Sequence, residues 1–279
     1  MADPRERLRR ALAARFADGE FDPADLPGLE SLAAMAGRAS CRAFRDAPVD
    51  EGLIRLLCAV ALSAPSKSDL QQRDIVLVTD PELRAQIDAL VGGQAWVAGA
   101  PALLVVCGNH ARQRLLHELR GRPFANDHLD AFFNAAVDAA IALGALVSAA
   151  EALGLGCCPI SAVRNEAQAV SDLLALPTHV FPLAGLALGW PAETTQVSMR
   201  LPLAATLHEN RFDGEVQSAA IEAYDRARTA VQPYETQRYT QDFGVAESYG
   251  WSEDKARQYA KPERANFGAF VRAKGFKLD

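Results

Sequence analysis

The signatures of several common enzyme chemistries are missing from this sequence. There is no GxSxG nucleophile elbow, no P-loop and no GxGxxG at a strand-to-helix turn. A hydrolase and a dinucleotide-fingerprint dehydrogenase are therefore unsupported. Metal-ligand sets are lacking too: His110, His117, His128, His179 and His208 lie singly in unlike contexts. Each reads as a surface or capping residue. The five cysteines are odd in number and irregular in spacing, which excludes a disulfide framework and suits a reducing cytoplasm. Cys157 and Cys158 are adjacent, a poor geometry for chelating one tetrahedral metal, and read as packing residues. Positive charge is in deficit, with 29 Lys and Arg against 35 Asp and Glu. That balance argues against nucleic acid or an anionic membrane as partner, but leaves room for a local basic pocket for one phosphate. No stretch near the N-terminus reads as a secretory apolar region, since residues 5–16 alternate charges with Leu and Ala as an amphipathic helix does. The most apolar stretch, 131–155, is interrupted by Asn134, Asp138 and Glu151, and reads as the buried helix of a soluble protein. No internal repeat or low-complexity tract is present.

What is there is an ordinary folding composition, 49% hydrophobic and 23% charged. The opening segment, punctuated by FDPADLPGLE, reads as an arm over residues 1–36 that precedes a single domain, 37–279. Asp50 is placed to cap a helix in which Leu53, Ile54, Leu57 and Val60 recur at helical spacing. Pro65 ends it. DIVLVTD (74–80) and PALLVVCG (101–108) read as buried strands, and a helix opening at Pro81 and stopping at Gly92-Gly93 lies between them. A long Ala-rich helix spans 130–153 and closes at Gly154. A strand around 157–160, a short helix in NEAQAVSDLLAL and a strand in VFPLAGLALGWP follow. Helical patterning returns at 221–230 and 253–274. The arrangement predicted is α+β, with long chain ends that wrap a partner.

The residues with chemical promise are scattered. Arg38, Ser40 and Arg42 alternate, so an extended segment would point all three to one side, as a phosphate monoester requires. Ser66-Lys67-Ser68 after Ala-Pro forms a second polar loop, Gly92-Gly93-Gln94 a weak loop signal, and Arg200 in MRLP a third candidate. Taken singly, each also suits a solvated turn, and spacing does not separate the two readings.

Taken in order, these pieces resemble the FMN-binding segments of the nitroreductase family, in the branch containing the oxygen-insensitive A-type nitroreductase and the NADPH-flavin oxidoreductase of luminous bacteria. The motifs are RASCRAF (38–44), SAPSKSDLQQ (63–72), GGQAWVAGAPALLVVC (92–107), the run from 151 to 193 through GLGCCPISAVRN and LALGWPAE, and RLPLAATLHEN (200–210). The resemblance runs from about 37 to 210 and continues weakly to the C-terminus.

It implies an α+β fold with a central mixed, mostly antiparallel sheet flanked by helices, in an intertwined homodimer with two FMN sites. Arg38, Ala39 and Ser40 would meet the FMN phosphate and ribityl chain. Arg42 would sit at the N1 and C2-carbonyl edge, where a fixed cation favours the reduced form. Ser66, Lys67 and Ser68 would come from the loop of either subunit, Gln94 would bond the isoalloxazine, and the backbone of Pro159, Ile160, Ser161 and Ala162 would line the ring near N5. Arg200 would clamp the phosphate. The central helix would pack on its symmetry mate through the Ala-rich face of 135–150, and Phe132 and Phe133 are candidates both for an acceptor slot and for the core. The activity implied is reduction of nitroaromatics, quinones or related small aromatic acceptors by NADPH or NADH in a ping-pong exchange. A flavin reductase supplying reduced FMN, and a flavin-binding sensor or carrier without turnover, are the alternatives.

Departures from the family pattern are specific. Ala39 stands where a basic or imidazole group is usual, Ser198 where a lysine is common, and Lys67 where the nearer relatives have serine. Pro159, Ser161 and Ala162 replace an aromatic residue and two glycines. The region matching the NADPH-recognition loop, TQDFGVAESYGW, holds Asp242 and Glu247 but no cation, which opposes a 2′-phosphate unless Arg238, Lys255 or Arg257 reaches it.

Overall fold

A computed structural model describes residues 3–16, 21–24, 26–92 and 94–279. Gly93, named above in the GGQ loop, and Asp25 of the arm lie outside the described residues. The chain runs α1 (Pro4–Arg15), α2 (Leu29–Gly37), α3 (Glu51–Leu62), β1 (Arg73–Val78), α4 (Pro81–Leu90), α5 (Ala95–Ala98), β2 (Ala102–Asn109) and α6 (Ala111–Arg120). It continues through α7 (Leu129–Ala152), β3 (Gly156–Ile160), α8 (Ala167–Leu173), β4 (Val180–Gly189), α9 (Gln217–Val231), α10 (Thr240–Phe243), α11 (Trp251–Tyr259) and α12 (Phe267–Ala273). Two compact units emerge: Met1–Ala39 with Thr195–Glu263, and Ser40–Thr194 with Arg264–Asp279.

The second unit holds a four-stranded sheet of order β1-β2-β4-β3. All three pairings are antiparallel, so the mixed character expected of the sheet is absent among the described residues. Each sequential pair, β1–β2 and β3–β4, returns on itself through its helical connection. The central strand β2 is an unbroken apolar run because both faces of the sheet are covered. Leu103, Val105 and Cys107 face a core completed by Ile87, Val91, Val97, Val163 and Val170 from α4, α5 and the β3–α8 segment. Leu104 faces the other core, against Ile54, Leu57 and Ala61 of α3 and Leu146 and Ala150 of α7.

Local chemistry explains the helix ends. Asp50 accepts a hydrogen bond from Leu53 N at 2.9 Å, and Asp80 accepts from the amides of Glu82 and Leu83 ahead of Pro81. Gly154, at φ 78°, supplies the left-handed residue that ends α7.

Helix α7 is long and apolar enough to cross a membrane by length and composition. It runs instead along the sheet and α3, burying Ala135, Ala139, Ala142, Leu146 and Ala150. Within the single chain, Ala135, Ala139, Ala142 and Ala150 of the face expected to meet a second subunit pack inward. Alanines permit close approach to β2 and α3, so that face turns inward, and Phe133, Val137 and Ile141 are left exposed with Leu56 and Val60 of α3. Phe132 joins the aromatic core, its ring 4.7 Å from Phe181 and 5.6 Å from Phe276. The helical pattern expected over 253–274 is two helices, interrupted around Pro262 and by Arg264 at φ 56°.

One histidine departs from the surface reading. His110 is 4% exposed, at the β2–α6 junction between the rings of Phe124 and Phe276. Burial, reinforced by the nearby Arg114 guanidinium, lowers its pKa to about 4, well below the ordinary imidazole value of 6.5. Between these two values the unfolded chain binds a proton that the folded chain refuses. The stability that His110 contributes is therefore full above pH 6.5 and is lost as the pH drops towards 4, about 3 kcal/mol from this group. Urea titrations from pH 7 to 4 should show this slope, and His110→Phe should flatten it.

Candidate functional site

Residues 41–45 run alongside β3, an edge strand of the sheet, and the segment 190–192 that follows β4. Cys41 N donates to Cys157 O at 3.0 Å, Arg45 N to Trp190 O at 2.8 Å and Ala192 N to Ala43 O at 2.9 Å, with a bridge between Phe44 and Pro191. Cys41 is buried against Gly156, where any Cβ would lie 2.6 Å from the Cys41 sulfur. Only glycine permits that approach. With Cys41 turned inward, the alternation of an extended chain leaves Arg42 on the outside, and its guanidinium lies over the Trp96 ring at 5.6 Å. Among the described residues Arg42 forms no ion pair or hydrogen bond.

The GGQAW segment thus meets RASCRAF through Trp96. Gln94 opens α5, and among the described residues its side-chain amide makes only a long 3.4 Å contact to Val91 O. At the end of β3, Pro159 is exposed whereas the side chains of Ile160 and Ala162 are buried. Only backbone is left at those two positions to face a ligand. Proline has no N–H, so any donor there belongs to the residues after it. Ser161 is exposed and accepts from Arg264 at 3.1 Å, while the same guanidinium donates to Asn165 at 2.8 Å. Sequence reading missed Arg264, because it follows the polar C-terminal stretch about 100 residues downstream.

The loop containing Ser66, Lys67 and Ser68 is tied to α7. Asp138, 0% exposed, accepts from Ser66 Oγ at 2.8 Å, Lys67 N at 3.0 Å and Gln72 N at 3.0 Å. Ser66 Oγ also accepts from Gln71 N at 2.7 Å. Its one proton is therefore committed to Asp138. Ser68, Asp69 and Gln71 all have positive φ, a cluster that persists only where surrounding bonds hold it. Buried Arg73 lies 3.8 Å from Asp138 and donates to Leu62 O and Ala64 O at the end of α3.

In the other unit, one side chain gathers two predicted cations. Arg15, 6% exposed, donates to Ala36 O at 3.0 Å, to Ser198 O at 2.8 Å and to Arg38 O. Arg200 N donates back to Arg15 O at 2.7 Å. The backbones bearing Arg38 and Arg200 therefore converge on a residue of the N-terminal arm. Nothing in the sequence around Arg15 marks it, since it reads as one more charge on an amphipathic helix. Ser198 receives Arg200 Nη1 on its hydroxyl at 2.7 Å, so it orients that arginine where a lysine would have repelled it. Ala39 carries no polar group for a phosphate.

The cations near the expected donor loop are engaged with other partners. Arg238 and Lys255 pair with Asp254 at 3.1 and 2.7 Å. Buried Arg257 pairs with Glu253 at 2.6 Å and bonds the carbonyls of Arg238 and Gly244. Asp242 pairs with Lys261.

Comparison with known proteins now bears on these loops. Residues 35–190 match the model of the nitroreductase family, and 198–279 that of the nitroreductase family, C-terminal domain. The chain belongs to the nitroreductase family. It is 32% identical to an NAD(P)H FMN reductase of Bacillus subtilis (strain 168), over 90% of this chain and 99% of that protein. It is 38% identical to an oxygen-insensitive NADPH nitroreductase of Salmonella typhimurium, over 64% of this chain and 72% of the relative. Among solved structures, the NADPH:FMN oxidoreductase from Vibrio harveyi complexed with NAD+ is similar with a TM-score of 0.76 at 28% identity, covering 88% of this chain and 97% of the other. In this nitroreductase-family chain, the first matched segment carries Arg38 to Arg42, loop 66–72, Gln94 and β3, and the second carries Arg200.

Proposed function

We propose that this protein is an FMN-dependent NAD(P)H oxidoreductase that reduces small flat aromatic acceptors, with nitroaromatics and quinones as the substrate class. The observation that carries the reading is Arg42: an exposed guanidinium without an ionic partner among the described residues, held against Trp96 beside Gln94. Bound FMN would supply the two-electron exchange, which is why no side chain here needs to act as a nucleophile. The chain's own residues bind and orient. Arg38 and Arg200 suit a phosphate monoester, Ser40 the ribityl hydroxyls and Gln94 the heterocycle edge, while Ala39 contributes only backbone. Arg42 suits the edge where negative charge collects, and the backbone of 159–162 the opposite edge. Ser66 shapes its loop rather than donating, which leaves Lys67 and Ser68 as the outward groups.

With Arg238, Lys255 and Arg257 engaged elsewhere, NADH serves as donor alongside NADPH. The near full-length similarity to an FMN reductase supports free flavin as a further acceptor. The exposed stripe of Phe133, Val137 and Ile141 with Leu56 and Val60 suits a homodimer, since contiguous apolar surface of this kind marks an interface. A cytoplasmic setting fits the odd number and irregular spacing of the cysteines.

The test is an anaerobic reductive half-reaction with NADH and NADPH in parallel. Bleaching of a yellow protein by both donors, and parallel double-reciprocal lines in steady state, are the expected results. Intersecting lines would overturn the two-step exchange, and protein that stays colourless after reconstitution would overturn the cofactor. Arg42→Gln should weaken FMN binding by about tenfold to a hundredfold, the loss of a charge-assisted contact. Its reduction potential should also fall by about 30 mV or more, measured by equilibration with a reference dye.

A further inference from the structure

A cavity borders loop 66–72, and of its lining only Lys67 also belongs to the flavin reading. It measures about 220 Å³ and is bounded by Lys67, Leu70, Gln72, His110, Phe124 and Asp130, among others. Gln72 is 0% exposed, yet among the described residues neither its amide nitrogen nor its amide oxygen has a hydrogen-bond partner. Nδ1 of His110, also buried and on the same cavity, has no partner among the described residues either. Leaving a buried amide unpaired is costly, and native interiors rarely do so without a reason.

We propose that this cavity is a binding site for a neutral, single-ring molecule carrying a carboxamide or lactam edge, paired to the side-chain amide of Gln72. A carboxamide offers one acceptor and one donor side by side, and its full complement is another such edge. A carboxylate accepts only, and would leave the Gln72 oxygen unpaired. The inner polar groups are uncharged, because burial keeps His110 neutral, and the charges at the cavity margin, Lys67 and Asp130, are opposite in sign. No net charge is therefore selected. Phe124 gives the ring a flat wall, and that wall is fixed: it packs 5.1 Å from each of His110 and His117, with the Arg114 guanidinium over it at 4.9 Å. Leu70 and Ala131 complete the apolar surface. The volume sits below the ~300 Å³ of drug-sized pockets, which limits the guest to one substituted ring.

This inference does not rest on the flavin assignment, and its test reads binding rather than turnover. Benzamide is titrated into the purified protein, as isolated, by calorimetry. Saturable binding with a dissociation constant of ~1 mM or tighter is expected, with benzoate at least about tenfold weaker. Gln72→Leu should weaken benzamide by about tenfold or more without lowering the melting temperature, since it removes an unpaired buried amide. Absence of saturable binding overturns the proposal, as does equal affinity for benzoate. Benzamide held over a flavin would be insensitive to Gln72→Leu, and that insensitivity overturns it too.

Discussion

Asp138→Ala should destabilise the protein by about 3–5 kcal/mol, a larger effect than the other substitutions considered. The carboxylate is fully buried and, among the described residues, is the sole acceptor for three donors, Ser66 Oγ and the amides of Lys67 and Gln72. Truncation strands all three and leaves Arg73 as a buried cation without its counter-charge. The loop then loses its tie to α7, and fewer bonds hold Ser68, Asp69 and Gln71 in the left-handed region, where side chains cost energy. For a chain of this size the loss corresponds to a melting temperature lower by roughly 10 °C. Asp138→Asn keeps one acceptor but not the charge, and should fall between wild type and alanine. Limited proteolysis should cut the alanine variant within 66–72 at protease levels that spare the wild type. A loss below about 1 kcal/mol in urea denaturation would show that the loop is held by other contacts.

Arg15→Met should cost about 3 kcal/mol of stability and, in the flavin reading, weaken FMN binding by roughly tenfold to a hundredfold. The buried guanidinium ties Ala36, Arg38 and Ser198 through their carbonyls, and its own carbonyl receives Arg200 N. Methionine fills much of the volume but bonds none of these groups, so the backbones bearing two phosphate-directed arginines lose their register. Arg15→Lys should recover little, because an ammonium cannot present a planar fork to three separated carbonyls. Two measurements separate the roles. If the melt shifts while FMN affinity by fluorescence quenching stays at the wild-type value, Arg15 is a structural residue only.

The substitution at Ser198 has a comparable lesson. Judged from sequence it is a missing charge, and it keeps a non-catalytic flavin carrier under consideration. In the fold its hydroxyl receives Arg200 and its carbonyl receives Arg15. The missing lysine is exchanged for an orienting contact.

Much of the architecture was legible because it follows from local rules. Asp50 and Asp80 cap helices, Gly154 ends one, and the apolar runs of β1, β2 and β4 have strand length and turn residues at their ends. The inward turn of Cys41 and the outward turn of Arg42 follow from the period of two of an extended chain. Helices α2 and α6 were not singled out. The first hides in a segment dominated by its prolines, and the second, ARQRLLHELR, is polar around most of its circumference with Leu115, Leu116 and Leu119 exposed. No buried face gave it a pattern to find.

The sequence by itself determined the family through its ordered motifs, the covered sheet through continuous apolar strands, and the chemical type of each candidate side chain. Tertiary structure alone decided which face of α7 turns inward, that Ser66 is committed to Asp138, that Arg15 gathers residues 36–38 and 198–200, and that Gln72 and His110 share a cavity. Each of these is a meeting of groups distant in the chain or a choice between faces of one helix. Such outcomes depend on which partner satisfies a buried polar atom, and no local period encodes that partner's position.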